Sequence, residues 1–538
     1  QVWCSTLAMS GPAVLWFRND LRLRDSDTVA VATQRVAAGG TIVPLFVFDT
    51  RWFGPGAVDE FGAARTGKHR ARFILEAVED LRRGLLKLGA ELVVSCGRPE
   101  GVVSAVCTAV GAKEVICQAE ACYEEKAIEQ AVQKACGRVG AALTLVWGGT
   151  LHHIDDLPKG AGVGEHRGAF TPWRTKVESK GQPVRPEHPA PRKGGLPAPE
   201  QWSAAVAAAA ALAPPGSLVS ATGLPTLEWL AHEGAEVDPK LADRGFMEFK
   251  GGETAAIERL NGWMFERDML RVYKSTRNGM LGADYSSKFS AWLACGCLSP
   301  RTVYWSCQRY EKERVSNKST YWLVFEMLWR DYFRFQAARL QGKLFLPEGE
   351  GLVTQDWVDD GQGFQAWAHG RTGWPLVDAN MRELRATGFM SNRGRQNVAS
   401  FLALDLRIDW RRGASVFEEF LLDYDPASNW GNWAAAAGLT GGRVNRFNIT
   451  KQARDYDSQG EYVKHWCPEL NDVPVHFVHE PWKMPPHVQK AAQCEIGKHY
   501  PEPVKTRFKP PEGGRQGPGK YAPPRDDSKG KGRGKSDA

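Results

Sequence analysis

Short apolar runs separated by amphipathic stretches open the chain. Residues 13–17, 41–48, 91–95, 114–117 and 142–147 have the length and continuous apolarity of strands buried on both faces. Between them the period lengthens to that of a helix. It is clearest over 67–88, where Phe73, Ile74, Ala77, Val78, Leu81, Leu85 and Leu88 share one side. Five strands alternating with helices predict a doubly wound parallel-sheet α/β domain over 12–154. Such a sheet carries its ligand crevice at the carboxyl ends of its strands. Phe17-Arg18-Asn19-Asp20 and Phe48-Asp49-Thr50 leave two strands at that edge.

From 155 to 245 the pattern breaks into a long connector, with Pro, Gly and basic residues over 183–199 and alanine over 204–213. No chemistry is assigned to it. The helical period then dominates, predicting an all-α domain over 246–484 with helices near 251–270, 319–340, 378–387, 394–406 and 414–424. Residues 485–538 are rich in Pro, Gly, Lys and Arg, ending in Lys529-Gly530-Lys531-Gly532-Arg533-Gly534-Lys535. This composition predicts a disordered basic tail.

Charge sharpens that division. The net charge of the 538 residues is +7, but 485–538 hold 12 Lys+Arg against 6 Asp+Glu, leaving 57 against 56 before them. A nucleic-acid site on the body must therefore be a local patch. No run approaches the ~18–20 apolar residues of a membrane span. The 11 cysteines form no CxxC pair, so no zinc site is expected. Their scatter in apolar runs suits a reducing, intracellular setting. No signal or transit segment is visible, and the chain opens on Gln1, which reads as a processed or trimmed start.

Two segments concentrate polar chemistry. Within 273–301, Ser286, Ser287, Lys288 and Ser290 offer hydroxyls and a cation to a phosphate, although an N-capping loop has the same composition. Within 388–433, Arg393 and Arg395 start a helix, and Asp423 and Asp425 follow another. Ion pairing around a polar ligand and a solvated charged face both fit. The 20 tryptophans exceed what packing alone requires.

The order of these segments resembles the photolyase/cryptochrome flavoproteins, and most closely the DASH cryptochromes. Trp16-Phe17-Arg18-Asn19-Asp20-Leu21-Arg22, the stretch 273–301, the stretch 325–335 and the stretch 380–433 match in order. The resemblance covers residues 13 to about 470. It implies an α/β antenna domain and a helical domain holding FAD. Tyr273, Ser286, Ser287, Lys288, Phe289 and Ser290 then match the phosphate and ribityl contacts. Arg395, Asp423, Tyr424 and Asp425 match the flavin ring's neighbours, and Asn429 the residue facing flavin N5. Trp433, Trp410 and Trp357 match the electron relay to the surface. Glu326, Trp329 and Asn392 match a pocket for pyrimidine dimers, while Arg277, Arg393 and Gln452 match nucleic-acid-facing positions. Glu120 matches the acidic residue that binds 5,10-methenyltetrahydrofolate, its plainer alternative being an exposed loop carboxylate. No metal is implied.

Departures refine the expectation. Ala435 stands where the family carries a second stacking aromatic, and 438–445 lacks the usual Asn-Asp-Pro-Arg run. Both favour single-stranded over duplex DNA, because a base must otherwise be extruded. Gln396 and Asn392 replace the histidines of (6-4) photolyases, which removes the imidazole that chemistry uses. The resulting expectation is a monomeric, light-driven lyase for cyclobutane pyrimidine dimers in single-stranded DNA. The alternatives are a blue-light receptor with little or no repair, and an RNA- or DNA-binding regulator with structural FAD. Chloroplast or mitochondrion follows from the resemblance, beside nucleus or cytoplasm.

Overall fold

The computed structural model describes residues 11–507 apart from 167, 220–222, 232–238, 351–354, 441–443 and 445. Gln1, the basic run 529–535 and half of the 438–445 departure lie outside the described residues.

Five parallel strands form one sheet: β1 (Pro12–Phe17), β2 (Thr41–Asp49), β3 (Val93–Gly97), β4 (Glu114–Ala119) and β5 (Ala142–Trp147), in the order β3-β2-β1-β4-β5. The register sets Trp16 beside Leu45 on one side and Cys117 on the other. The chain therefore winds outward from β1 through β2 to β3, then crosses back to β4 and β5. The switch falls between β1 and β4, where an open α/β sheet has its crevice. Helices α1 (Asp27–Ala37), α2 (Lys68–Lys87), α3 (Pro99–Val110) and α4 (Tyr123–Arg138) are the crossovers. Ser26 caps α1 by accepting from the Val29 N–H at 3.3 Å.

The connector is more than a surface strap. Its helix α5 (Phe170–Lys180) lies on the helical domain. Its alanine run forms α6 (Trp202–Ala211), whose Ala205 and Ala209 are fully buried against the sheet layer. Small side chains let α6 approach closely enough for Ser95 Oγ to donate to Ala209 O at 2.8 Å.

The second domain is helical: α7 (Glu253–Asn261), α8 (Pro300–Glu313), α9 (Lys318–Leu340), α10 (Pro375–Thr387), α11 (Asn392–Ser400), α12 (Trp410–Phe420), α13 (Pro426–Ala436) and α14 (Ile449–Tyr456). Three helices end earlier than the periodicity predicts. The 251–270 pattern leaves the α-helix at Asn261 through a π-turn, Gly262–Glu266, and the 394–406 pattern leaves it at Ser400 through another, Phe401–Asp405. Apolar spacing survives an inserted π-residue, so the sequence pattern does not register it. The 414–424 pattern stops at Phe420, where Leu421 turns to extended backbone and a turn over 422–423 leads to Pro426 and the next helix.

Domain contacts are polar and buried. Leu21 N–H donates to Cys295 O at 3.2 Å and Arg22 Nη1 to Gly296 O at 2.9 Å. A side chain at Gly296, whose φ is +75°, would collide with the Asn19 carbonyl. Asp331 on α9 accepts the Leu151 and His152 N–H groups at 2.9 and 2.8 Å.

The predicted tail boundary is corrected. Residues 485–507 are ordered against the helical domain, including a helix at Pro486–Ala491 and a buried Cys494 and Tyr500. Tyr500 Oη donates to Asp378 at 2.6 Å, and Val504 N–H to Thr372 O at 2.8 Å. Specific hydrogen bonds hold a strap whose composition alone supplies no core. The ten described cysteines are all buried and unbridged, and no helix among the described residues is long and apolar enough to cross a membrane.

Candidate functional site

The α11 start and the α12–α13 elbow bring one ion pair together. Ser391 caps α11 by accepting from the Gly394 N–H at 3.0 Å. Arg395, one turn on, donates Nε to Met390 O at 2.9 Å and Nη2 to both oxygens of Asp423 at 3.0 and 2.8 Å. The Asp423 side chain is 2% exposed, while its Arg395 partner is half-buried and keeps an edge open. Asp425 caps α13 through Ser428 N–H at 2.7 Å, and its other oxygen lies 3.6 Å from Arg334 Nη1. Asn429, buried in the first turn of α13, donates to Ala414 O at 3.0 Å.

The loop before residue 290 is clamped by a residue the sequence reading did not single out. Arg259 of α7 donates to the carbonyls of Ala283, Ser286 and Ser287 and to Asp284 Oδ1, all within 3.2 Å. Tyr273 and Phe289 are buried edge-on against Trp263, Ser287 is buried, Ser286 half-buried and Ser290 exposed. Lys288 has a left-handed φ of +55° and is 6% exposed. Its ammonium donates to Gly282 O at 2.9 Å and lies 4.8 Å from the centre of the Phe389 ring. The Arg395 guanidinium lies 5.7 Å from that same ring. Phe389 thus joins the two segments, with Glu383 beneath them, acting electrostatically on both cations. Burial pulls the Lys288 amine down to about 8 against the attraction of Glu383, and raises Glu383 to about 7. Tyr462 Oη donates to Glu383 at 2.6 Å, while the buried Tyr285 hydroxyl has no partner.

Those features are what FAD needs. A buried ammonium with a single carbonyl acceptor has donors to spare for a diphosphate. An unpartnered Tyr285 hydroxyl, Asp425 and Asn429 offer polar contacts to a ribityl chain or an isoalloxazine edge. The residues present fit the group.

A second cluster gathers the candidate lesion and nucleic-acid residues. Glu326 Oε1 accepts from Arg277 Nη1 and Trp322 Nε1, each at 3.0 Å. Burial raises the Glu326 carboxyl despite Arg277. Next along the chain, Asn278 accepts from Arg393 Nη2 at 3.1 Å, and the Arg393 guanidinium covers Tyr456 of α14 at 4.5 Å. Asn392, beside Arg393, is exposed, and the nearby Gln452 holds a buried, unpartnered Oε1. Trp329 is half-buried with one face covered by Phe170 of α5 at 3.6 Å, a contact no sequence signal announced. Ala435 is exposed.

Trp433 and Trp410 are buried and Trp357 half-buried. Gly413 lets α12 approach Trp433, since a side chain there would collide with the indole. Trp433 meets Trp367 at 6.0 Å and Phe417 at 5.1 Å, and Trp410 meets Trp430 at 5.6 Å.

At the sheet switch, a crevice of about 140 Å³ runs between the domains. Glu120 lines it and is 4% exposed, which corrects the exposed-loop alternative. It accepts from Asn19 and Gln118 at 3.2 and 3.1 Å and from Arg334 at 3.0 Å. Burial beside it pushes Glu125 up to about 8. The same crevice reaches Tyr424 and Asp425.

Comparisons agree with this geometry. Residues 13–193 match the family model described as DNA photolyase, and 322–508 that of the FAD binding domain of DNA photolyase. The chain is 46% identical to Cryptochrome DASH of Gloeobacter violaceus, over 93% of this chain and 94% of that one. It is 45% identical to Cryptochrome DASH, chloroplastic/mitochondrial, of Ostreococcus tauri, over 91% and 89%. The Synechocystis sp. PCC6803 cryptochrome superposes with a TM-score of 0.82 at 41% identity, covering 92% and 96%. A class III photolyase of Agrobacterium tumefaciens gives 0.75 at 26%, covering 94% and 96%. With a buried Lys288 and an Asp423-paired Arg395 suited to FAD in the helical domain, and both domains matched, the chain belongs to the photolyase/cryptochrome flavoprotein family, among its DASH cryptochromes.

Proposed function

We propose that this chain uses blue light to split cyclobutane pyrimidine dimers, preferentially in single-stranded DNA. The observation that carries the reading is one continuous polar line. Glu326 bonds Arg277, and the next residue, Asn278, bonds Arg393 beside Asn392, a linkage that supports the reading. Bound FAD supplies light absorption and single-electron transfer. Arg395 holds positive charge beside the ring, and Asp423 fixes that guanidinium in place. Lys288, Ser286, Ser287, Ser290, Tyr273 and Phe289 hold the phosphates and polyol, and Asn429 and Asp425 the polar edge. Burial raises the Glu326 carboxyl against the pull of Arg277, and its protonated form is the one that would donate to a base carbonyl. Arg277, Arg393 and Gln452 face the nucleic acid.

Glu120 is assigned to an antenna folate, 5,10-methenyltetrahydrofolate. The support is a buried Glu120 that lines the same crevice as Asp425. Trp433, Trp410 and Trp357 re-reduce the oxidised flavin. The names of the Ostreococcus tauri and Oryza sativa relatives support an organelle.

Ala435 favours a second reading, a light receptor with little repair, because the stacking partner is missing. Illumination of reduced protein with dimer-containing oligo(dT) separates the two. Light-dependent recovery of base absorbance is expected. Flavin photoreduction without recovery would establish the receptor reading instead.

A further inference from the structure

We propose that Tyr424 is a proton-coupled electron donor on a branch of the tryptophan relay, running from Trp410 through Trp430 into the interdomain crevice. The proposal rests on the flavin reading above, since a photo-excited oxidised flavin is the oxidant that leaves Trp410 short of an electron.

The branch is continuous. Trp410 meets Trp430 edge-on at 5.6 Å, and Trp430 Nε1 donates to Tyr424 Oη at 3.2 Å. Tyr424 Oη in turn donates to Glu418 Oε2 at 2.7 Å. The other oxygen of Glu418 is ion-paired to Arg65 Nε at 2.5 Å, so the carboxylate is anionic and ready to accept a proton. The Arg70 guanidinium lies 4.7 Å from the centre of the Tyr424 ring, and that ring lines the crevice. Tyr462 with Glu383, and Tyr500 with Asp378, repeat the phenol–carboxylate pairing. What sets Tyr424 apart is the indole bonded to its oxygen.

The chemistry balances. One electron passes from Tyr424 through Trp430 to the Trp410 radical cation. The Oη–H bond breaks, and its proton moves to Glu418 Oε2. A neutral tyrosyl radical, a neutral Trp410 and a protonated Glu418 result. Return of the electron to Tyr424 must wait for the proton, so the separated charge outlasts one held on indoles alone.

The test uses FAD-loaded protein with the flavin oxidised, illuminated, frozen and read by electron paramagnetic resonance. A tyrosyl signal is expected that narrows when ring-deuterated tyrosine is incorporated, which needs no substitution. It should be lost in Tyr424→Phe and in Trp430→Phe. It should grow in Trp357→Phe, where the surface end of the relay is cut. A flavin that photoreduces with only tryptophanyl signals, unmoved by the tyrosine label, would overturn the branch and leave the flavin reading standing. A protein without photoreducible flavin would overturn both.

Discussion

Lys288 shows how a single residue couples burial to ligand choice. Its amine, drawn down to about 8, is costly to keep charged until an anion arrives. Binding the FAD diphosphate restores the proton, so complex formation takes up protons once the free protein has lost them. Affinity of the flavin-free protein should be flat below about 8 and fall about tenfold per pH unit above it, as titration of flavin fluorescence would show. Lys288→Met should bind more weakly with a flat profile, and a flat profile in the unaltered protein would contradict the assignment. Ala435 makes the opposite point, since an exposed methyl offers no ring on which a base could stack. Ala435→Tyr should strengthen binding of dimer-containing strands by about 1–3 kcal/mol, measured by fluorescence anisotropy. The two polar segments stand out in the sequence by composition, but a capping loop and a solvated charged face fit their residue types as well, and only the family resemblance gives those residues roles. Arg259, Glu383 and Phe170 do not stand out. Each lies in a run that reads as ordinary helix or connector, and its role comes from a partner up to 159 positions away, as with Phe170 and Trp329.

At the level of elements, periodicity located the strands and most helices but not their ends. The two π-turns, Gly262–Glu266 and Phe401–Asp405, keep apolar spacing while changing the hydrogen-bond ladder. The elbow at 421–425 matters most, because a turn closed by Tyr424 N–H to Leu421 O presents Asp423, Tyr424 and Asp425 from one short segment. The composition of 485–538 predicts disorder, because Pro, Gly and Lys cannot build a core, yet 485–507 pack against the helical domain. This strap folds by capping a core that exists. Asp378 is fully buried, and its oxygens accept from Thr372, Gly373 and Tyr500. Tyr500→Phe leaves that carboxylate one donor short and should destabilise the protein by about 1.5–3 kcal/mol. A urea midpoint lowered at unchanged slope would register this. An unmoved midpoint would mean that the strap is energetically idle.

Across the whole molecule, the two domains meet around one crevice whose walls carry candidate groups from both. β1 and β4 contribute Asn19 and Glu120, α9 contributes Arg334, and the elbow contributes Tyr424 and Asp425. Arg334 bonds Glu120 on one side and lies 3.6 Å from Asp425 on the other, so a single guanidinium links carboxylates from both domains. The two-domain architecture was legible from alternating periods, but this junction was not, because sequence carries no record of which strand end faces which helix. The account requires that the helical domain hold a light-absorbing flavin. Its most direct test is the visible spectrum of the purified protein under blue light with an external reductant, followed by release and quantification of the chromophore. FAD equimolar with the chain, bleaching in the light and recovering in air, is the predicted result. A colourless protein that takes up no FAD on incubation would contradict it.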